Sequence, residues 1–106
     1  MNQNSDDICL ISIKTITDIF SSKWSFVIMG ELYSKPKRFN ELRRNTGIST
    51  KSLSDALKSL EANGIVTRTV LTASPVTVEY SLTEKGRDFE GVFVSMNKWG
   101  DKWLKD

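Results

Sequence analysis

The sequence contains no histidine and only one cysteine, Cys9. This composition excludes zinc sites of the Cys/His type, Ser-His-Asp and Cys-His nucleophilic centres, and a disulfide within the chain. The six glycines are scattered along the chain and form no glycine-rich phosphate loop. We therefore expect no enzymatic activity, no metal site and no cofactor.

Long hydrophobic runs and a basic leader are absent as well. No apolar stretch approaches the roughly 20 residues that a membrane-spanning helix needs. The opening MNQNSDD has no positive charge of the kind that begins a secretory signal. A chain of 106 residues with 39% hydrophobic and 26% charged residues is typical of one globular domain. We predict a single domain over residues 1–106, located in the cytoplasm and without a membrane partner.

Positive charge is concentrated in the middle third of the chain, although the net charge is only +2. Residues 35–68 carry eight cations and three anions, whereas the segments before and after them are slightly acidic. A basic segment favours a polyanionic partner, but a solvated surface that keeps the protein soluble would have the same composition. Charge alone leaves both interpretations open.

The first predicted helix covers residues 7–21 and is apolar on more than one face. One stripe contains Ile8, Ile11, Ile16 and Ile19, and further apolar side chains lie away from it. A helix of this kind needs more than one surface to bury against. In so small a domain, we expect the second surface to belong to another subunit.

A second helix is predicted over Lys23–Tyr33. Ser21-Ser22 provides its N-cap. The helix is expected to end before Pro36, because proline disfavours the helical conformation at the residue before it. A short extended piece at Arg38-Phe39 is expected to follow. The helix should pack through Trp24, Val27, Ile28 and Leu32.

A helix-turn-helix is predicted over residues 39–63. Its first helix covers about residues 39–45 and ends at Gly47, which suits the left-handed conformation that often closes a helix. Ser49 caps the second helix, and Asn63-Gly64 ends it. The apolar face of the second helix contains Leu53, Ala56, Leu57 and Leu60, with Ile48 placed to pack on Leu53 as a hydrophobic staple. The polar face contains Thr50, Lys51, Ser54, Asp55 and Lys58, with Ser52 on its flank.

After residue 64 the pattern changes to β-structure. Residues 65–71 are rich in β-branched side chains, residues 77–82 alternate apolar and polar, and residues 72–76 between them include Pro75. This pattern predicts a hairpin over residues 65–82 with a longer loop. Thr83 then caps a final helix, predicted over residues 83–105, which carries a strong apolar stripe.

The order of helix-turn-helix, hairpin and helix is the layout of a winged helix, an α+β fold that is mostly helical here. Such a fold places the second helix of the turn unit in the DNA major groove and uses the hairpin as a wing. Small polar side chains on that helix leave the base edges accessible. Candidate contacts from the helix are Ser49, Thr50, Lys51, Ser52, Ser54, Asp55 and Lys58. Candidate phosphate contacts around it are Arg38, Arg43, Arg44 and Arg68.

The motifs that carry a family resemblance are spread over nearly the whole chain, from about Cys9 to Trp103. They are Lys23-Trp24 before an apolar helix, PKRFNELRR at 36–44, GIS at 47–49, LKSLEANGIVTR at 57–68 and VEYSLTEKGR at 78–87. In order and spacing they resemble the HxlR-type branch of the MarR-like winged-helix regulators. The resemblance implies a bacterial transcription regulator that acts as a homodimer on a roughly palindromic operator in double-stranded DNA. It also implies dimerisation through the first and last helices, with candidates Ile8, Ile11, Ile16, Phe93, Met96, Trp99 and Trp103.

Two features depart from the family pattern. The family often has a basic wing that ends in an arginine, where this chain has Thr77 and no charge from Val70 to Val78. Wing contacts to DNA should therefore be weaker, with more of the binding left to the recognition helix and Arg68. Family members also frequently carry an N-terminal cysteine followed by proline, whereas Leu10 follows Cys9 here.

Three alternatives stay open at this point. Cys9 is a candidate sensor of oxidants or electrophiles, or a small buried apolar residue, and the nearby Asp6 and Asp7 disfavour its thiolate. A winged helix can also serve as a protein–protein interaction adaptor that does not bind DNA. The third alternative concerns aromatic side chains, which could line a pocket for a small-molecule effector or simply pack in the core and the dimer. These are Phe20, Trp24, Phe93, Trp99 and Trp103.

Overall fold

The computed structural model of the chain describes residues 10–20 and 22–105. Within these ranges there are six helices and one antiparallel hairpin. The helices are α1 (Leu10–Ile19), α2 (Ser25–Leu32), α3 (Phe39–Thr46), α4 (Thr50–Ala62), α5 (Glu84–Arg87) and α6 (Glu90–Trp103), and the strands are β1 (Val66–Ala73) and β2 (Val76–Leu82). The predicted α+β winged helix-turn-helix is confirmed. None of the helices in the described residues is long and apolar enough to cross a membrane.

The core lies where α2, α3 and α4 meet the base of the hairpin. Its largest fully buried apolar side chains are Ile28, Met29, Leu32, Leu42, Leu53, Leu57, Leu60 and Val66. The prediction for Val27 is wrong, because this side chain is 45% exposed. The helix packs on the core through Ser25, Ile28, Met29 and Leu32, which lie three or four residues apart on one face, and Val27 lies on the opposite face.

The start of α2 also differs from the prediction. The helix begins at Ser25, two residues later than expected, and its N-cap residue Trp24 makes no side-chain cap. Ser22 Oγ instead accepts a hydrogen bond from the Trp24 backbone N–H at 3.1 Å, within the turn that precedes the helix. Ser21 lies outside the described residues.

The helix-turn-helix follows its local signals closely. Gly47 adopts the left-handed conformation at φ 73°, and its N–H donates to the Arg43 carbonyl at 2.9 Å. Ser49 Oγ accepts from the Ser52 N–H at 3.2 Å and caps α4. Ile48 and Leu53 are both buried, as the predicted staple requires. Because these signals act within a few residues, they settle where α4 begins and which face it buries.

The wing is longer and its turn tighter than predicted. β1 continues to Ala73 and β2 begins at Val76, so only Ser74 and Pro75 lie between the strands instead of a longer loop. The added pairing joins Ala73 to Val76 and Thr72 to Thr77, after an irregularity next to Val70. The hydroxyls of Thr72 and Thr77 lie 2.7 Å apart, and Thr72 Oγ1 also donates to the Pro75 carbonyl at 2.7 Å. These side-chain bonds hold the tip closed.

A single bridge attaches the helix-turn-helix to the wing. The backbone N–H of Lys37 donates to the Tyr80 carbonyl at 2.9 Å, and the Tyr80 N–H donates back to the Lys37 carbonyl at 2.8 Å. Extended structure was expected at Arg38-Phe39, but the residue that pairs with β2 is Lys37, one position earlier. The bridge brings the beginning of α3 beside β2.

The predicted final helix is divided into α5 and α6. Thr83 caps α5 as expected, accepting from the Gly86 N–H at 3.1 Å. The Gly86 carbonyl accepts from the Tyr33 hydroxyl at 3.1 Å and from the Phe89 N–H at 3.3 Å. The Phe89 N–H thus bonds three residues back, as in a turn tighter than an α-helix, and α6 starts at Glu90.

α1 and α6 extend away from the core, and the molecule measures 56 × 36 × 23 Å. Both helices expose large apolar side chains. They include Ile13, Ile16, Val92, Met96, Trp99 and Trp103, with exposed fractions between 45% and 63%. Apolar surface of this extent on two helices is typical of a protein–protein contact.

Candidate nucleic-acid interface

The polar face of α4 is directed to solvent. Thr50, Lys51, Asp55 and Lys58 are exposed, whereas Ser52 and Ser54 are half-buried at the edges of the face. Ser49 is exposed at the N-cap, where its hydroxyl is engaged with the Ser52 N–H. The structure thus brings the predicted helix contacts together on one side of α4.

Lys51 and Asp55 form an ion pair on this face. Lys51 Nζ lies 3.0 Å from Asp55 Oδ2, one helical turn away, and both side chains are largely exposed. A pair of this type contributes only about 0.3–0.5 kcal/mol to helix stability. It can therefore open at little cost, which would free Lys51 for a guanine or a phosphate and Asp55 for a cytosine amino group.

The cations of residues 35–68 divide into paired and unpaired groups. Three lysines form ion pairs, namely Lys35 with Glu41 (3.8 Å), Lys37 with Glu31 (2.8 Å) and Lys51 with Asp55 (3.0 Å). The five other cations are exposed and form no ion pair within the part of the chain that the structure describes: Arg38, Arg43, Arg44, Lys58 and Arg68. All five are among the candidate DNA contacts.

Lys37 is buried and belongs to the structure rather than to the basic surface. It is 8% exposed, and its ammonium donates to Glu31 Oε1 at 2.8 Å. The same oxygen accepts from the Asn45 side-chain amide at 2.9 Å, so that one carboxylate joins α2, the bridge residue and the end of α3. This network positions α3, which carries Arg43 and Arg44.

The hydrogen bonds of Glu31 also affect its titration. The side-chain bonds from Lys37 and then from Asn45 lower the pKa of Glu31 below its ordinary value, against the opposing effect of burial. A carboxylate whose pKa is lower in the folded state stabilises the fold above its unfolded pKa. That contribution is expected to be lost as the pH falls through the folded pKa.

Aromatic side chains form a cluster between α2 and α6 that the sequence patterns did not reveal in full. Phe20, Phe26, Phe89, Phe93 and Tyr33 have neighbouring ring centroids 4.9–5.9 Å apart. Burial raises the pKa of Tyr33, and the nearby Glu90 carboxylate raises it further.

Phe93, predicted at the dimer interface, contacts Phe26, Tyr33 and Phe89 of its own subunit. An open groove of about 500 Å³ lies beside the cluster.

The other candidate dimer and effector residues are distributed as follows. Ile16, Met96, Trp99 and Trp103 are exposed, and Trp24 is half-buried with the Lys23 ammonium 4.9 Å from its ring centroid. Ile8, Cys9 and the side chain of Ile11 lie outside the described residues. Trp99 and Trp103 are largely exposed and lie outside the aromatic cluster.

A second groove lies between the beginning of α3 and the wing tip, which we call the wing groove. Its volume is about 490 Å³, and its walls include Arg38, Glu41 and Arg44 from α3 and Val76, Thr77 and Val78 from β2. The sequence showed that the wing tip, from Val70 to Val78, is uncharged but not that it lies beside two arginines. The Lys37–Tyr80 bridge, together with contacts between α3 and β2, brings these segments together.

Known proteins resemble this chain in both sequence and fold. Residues 19–106 match the family model described as HxlR-like helix-turn-helix. The HTH-type transcriptional regulator YodB of Bacillus subtilis is 42% identical over 82% of this chain and 79% of YodB. The HTH-type transcriptional regulator sll1512 of Synechocystis is 36% identical over 99% of this chain and 82% of that relative.

Solved structures extend the likeness to three dimensions. The reduced form of B. subtilis YodB has a TM-score of 0.79 at 38% identity, covering 89% of this chain and 93% of YodB. The redox regulator HypR in its oxidised form also has a TM-score of 0.79 at 38% identity, covering 90% of this chain and 98% of HypR. Sequence and fold therefore indicate the same group of proteins over most of the chain.

Proposed function

Because this chain belongs to the HxlR-like helix-turn-helix family and is a DNA-binding transcriptional regulator, we propose that it acts in the cytoplasm as a homodimer on a roughly palindromic operator. In each subunit the polar face of α4 enters the major groove. A two-fold dimer presents two such helices to two half-sites, which explains why the operator should be palindromic.

The observation that carries this proposal is the set of unpaired cations around α4. Arg38, Arg43, Arg44, Lys58 and Arg68 are exposed without an internal carboxylate partner in the described residues, whereas three lysines of the same segment are neutralised. Phosphate contacts require such free cations and fix the protein on the duplex without reading its sequence. The small polar side chains of α4 lie between them, where base edges would be contacted.

The exposed apolar faces of α1 and α6 support the homodimer. Ile16 on α1 and Met96, Trp99 and Trp103 on α6 are at least 45% exposed in the single subunit. Covering this surface with a second copy removes it from water, at roughly 25 cal/mol for each Å² of apolar area. Sedimentation equilibrium should therefore give the mass of a dimer, and a monomer at micromolar concentration would contradict the proposal.

A Lys51→Ala variant is expected to bind its operator about 5- to 100-fold more weakly while keeping its thermal stability. Lys51 is exposed and contributes only a surface ion pair to the fold, whereas one good base contact is worth about 1–3 kcal/mol. The measurement is a mobility-shift titration on duplexes enriched from genomic fragments, at several salt concentrations. Wild-type binding should weaken steeply as the salt concentration rises.

The matched control for this variant is Lys105→Ala, which breaks the similarly exposed i,i+4 pair with Asp101 at the end of α6. It should bind like the wild type. Equal losses in the two variants would contradict the role of Lys51. Binding that does not change with salt, or no binding at all, would instead favour the protein–protein adaptor.

We also propose that oxidation or electrophile attack at Cys9 controls DNA affinity. Support comes from related proteins whose structures include diamide-treated and quinone-bound YodB and oxidised HypR. Cys9 is the single cysteine, so a disulfide formed there joins two subunits or a small thiol. Diamide should lower operator affinity in the wild type but not in Cys9→Ser. An equal response of both proteins would contradict the role of Cys9.

A further inference from the structure

The wing groove combines positive charge on one wall with apolar surface on the other. Arg38 and Arg44 form the charged wall, and neither is in an ion pair with any residue that the structure describes. Glu41, the acidic residue in the groove, lies 3.8 Å from the Lys35 ammonium, which offsets its charge. The groove therefore has a positive character that favours an anion.

The wing wall offers neither charge nor a free side-chain donor. Val76 is 65% exposed, and the half-buried Val78 continues the apolar surface. Thr72 gives its single hydroxyl proton to the Pro75 carbonyl, so Thr77 must donate its own proton to Thr72 Oγ1 at 2.7 Å. Thr77 is thus left only as an acceptor, which cannot bind phosphate. This wall therefore favours contact with an apolar surface of whatever molecule the groove binds.

A strand of DNA presents both kinds of surface. Its phosphates are anionic, and the C–H faces of its deoxyribose rings are apolar. We propose that the wing groove holds one sugar–phosphate strand of the operator, with Arg38 and Arg44 on phosphates and Val76 and Val78 packed against deoxyribose. The inference rests on the proposed operator binding by α4, and it adds a second contact region with its own chemistry.

In this arrangement, α3 and the wing tip contribute to binding in different ways. Each phosphate contact adds about −0.9 to the slope of log K against log salt concentration on duplex DNA. The α3 arginines should therefore contribute to the salt dependence of binding, whereas the apolar wing should contribute affinity without salt dependence. The uncharged wing tip then takes part in binding through its apolar side chains.

The test is a salt titration of fluorescence anisotropy with the full chain and a duplex enriched from genomic fragments by the wild type. Val76→Lys should bind more tightly, with a slope steeper by about 0.9, because the new ammonium lies beside a phosphate. Arg44→Ala should bind more weakly, with a slope shallower by about 0.9. A gain in affinity cannot result from misfolding.

Matched controls lie on α5 and α6. Val94→Lys adds the same charge at another exposed valine, and Arg87→Ala removes an exposed arginine outside the groove. Neither should change the slope by more than about half of the 0.9 that is expected for one phosphate contact. The groove assignment is overturned if Val76→Lys behaves like Val94→Lys, or if Arg44→Ala behaves like Arg87→Ala.

The apolar contact has its own test in Val76→Thr, which keeps the shape and replaces a methyl group by a hydroxyl. Affinity should fall several-fold at an unchanged slope, and unchanged affinity would overturn the sugar contact. Hydroxyl-radical footprinting reports deoxyribose burial directly, and wild-type protein should protect sugars of one strand beside each half-site. If wild type binds with steep salt dependence but shows no such protection, the groove inference fails while the proposed function stands.

Discussion

Replacing Leu57 by alanine is expected to lower the free energy of unfolding by about 2–5 kcal/mol. Leu57 is 2% exposed on the inner face of α4, and its neighbours Leu53 and Leu60 are completely buried. Truncation leaves a cavity that rigid helices on either side cannot fill. The loss is a large fraction of the roughly 5–15 kcal/mol that stabilises a typical domain.

The measurement for Leu57→Ala is denaturant unfolding at a fixed protein concentration, because dimerisation links stability to concentration. Lys58→Ala is the control on the same helix turn. Its side chain is exposed, so the expected change is within about 0.5 kcal/mol. If Lys58→Ala cost as much as Leu57→Ala, the buried and DNA-facing sides of α4 would have to be exchanged.

The second large effect is expected for Gly86→Ala. A Cβ atom at this position overlaps the backbone carbonyl oxygen of Ile65 and lies 3.1 Å from Leu82 Cδ2. The Gly86 carbonyl also accepts the Tyr33 hydroxyl, so a shift of α5 to relieve the overlap weakens that bond. We expect a loss of about 1–3 kcal/mol or more, as for other overpacked sites.

Gly30→Ala provides the opposite result in the same unfolding experiment. A Cβ at Gly30 meets no atom within 4 Å, and the residue lies inside α2. Alanine there should stabilise the helix by about 0.5–1 kcal/mol, since glycine loses more backbone freedom on folding. If Gly86→Ala were as well tolerated as Gly30→Ala, the close approach of α5 to the hairpin base would be wrong.

Local chemistry explains which structural predictions succeeded. The beginning of α4 at Ser49, the left-handed Gly47 and the buried Leu57 stripe all depend on residues within one or two helical turns. Cap hydrogen bonds and helical periodicity act over that distance, and the sequence displays them directly. The five unpaired cations were also identified as candidates from their position around α4.

The failures involve partners distant in the chain. Val27 is exposed because the register of α2 was set by its packing rather than by its own pattern. The helix after Thr83 is divided next to Gly86, whose carbonyl accepts from Tyr33, more than fifty residues away. Lys37 was counted with the basic surface, but Glu31 and the bridge to Tyr80 bury it.

The sequence by itself determined the class of the protein and the two faces of α4, because periodicity, capping and charge are properties of neighbouring residues. Only the tertiary structure decided which cations stay free, that α5 must approach the hairpin through Gly86, and that the uncharged wing tip lies beside Arg38 and Arg44. Those features depend on pairing between segments far apart in the chain. A local sequence pattern does not show which of these distant segments will pack together.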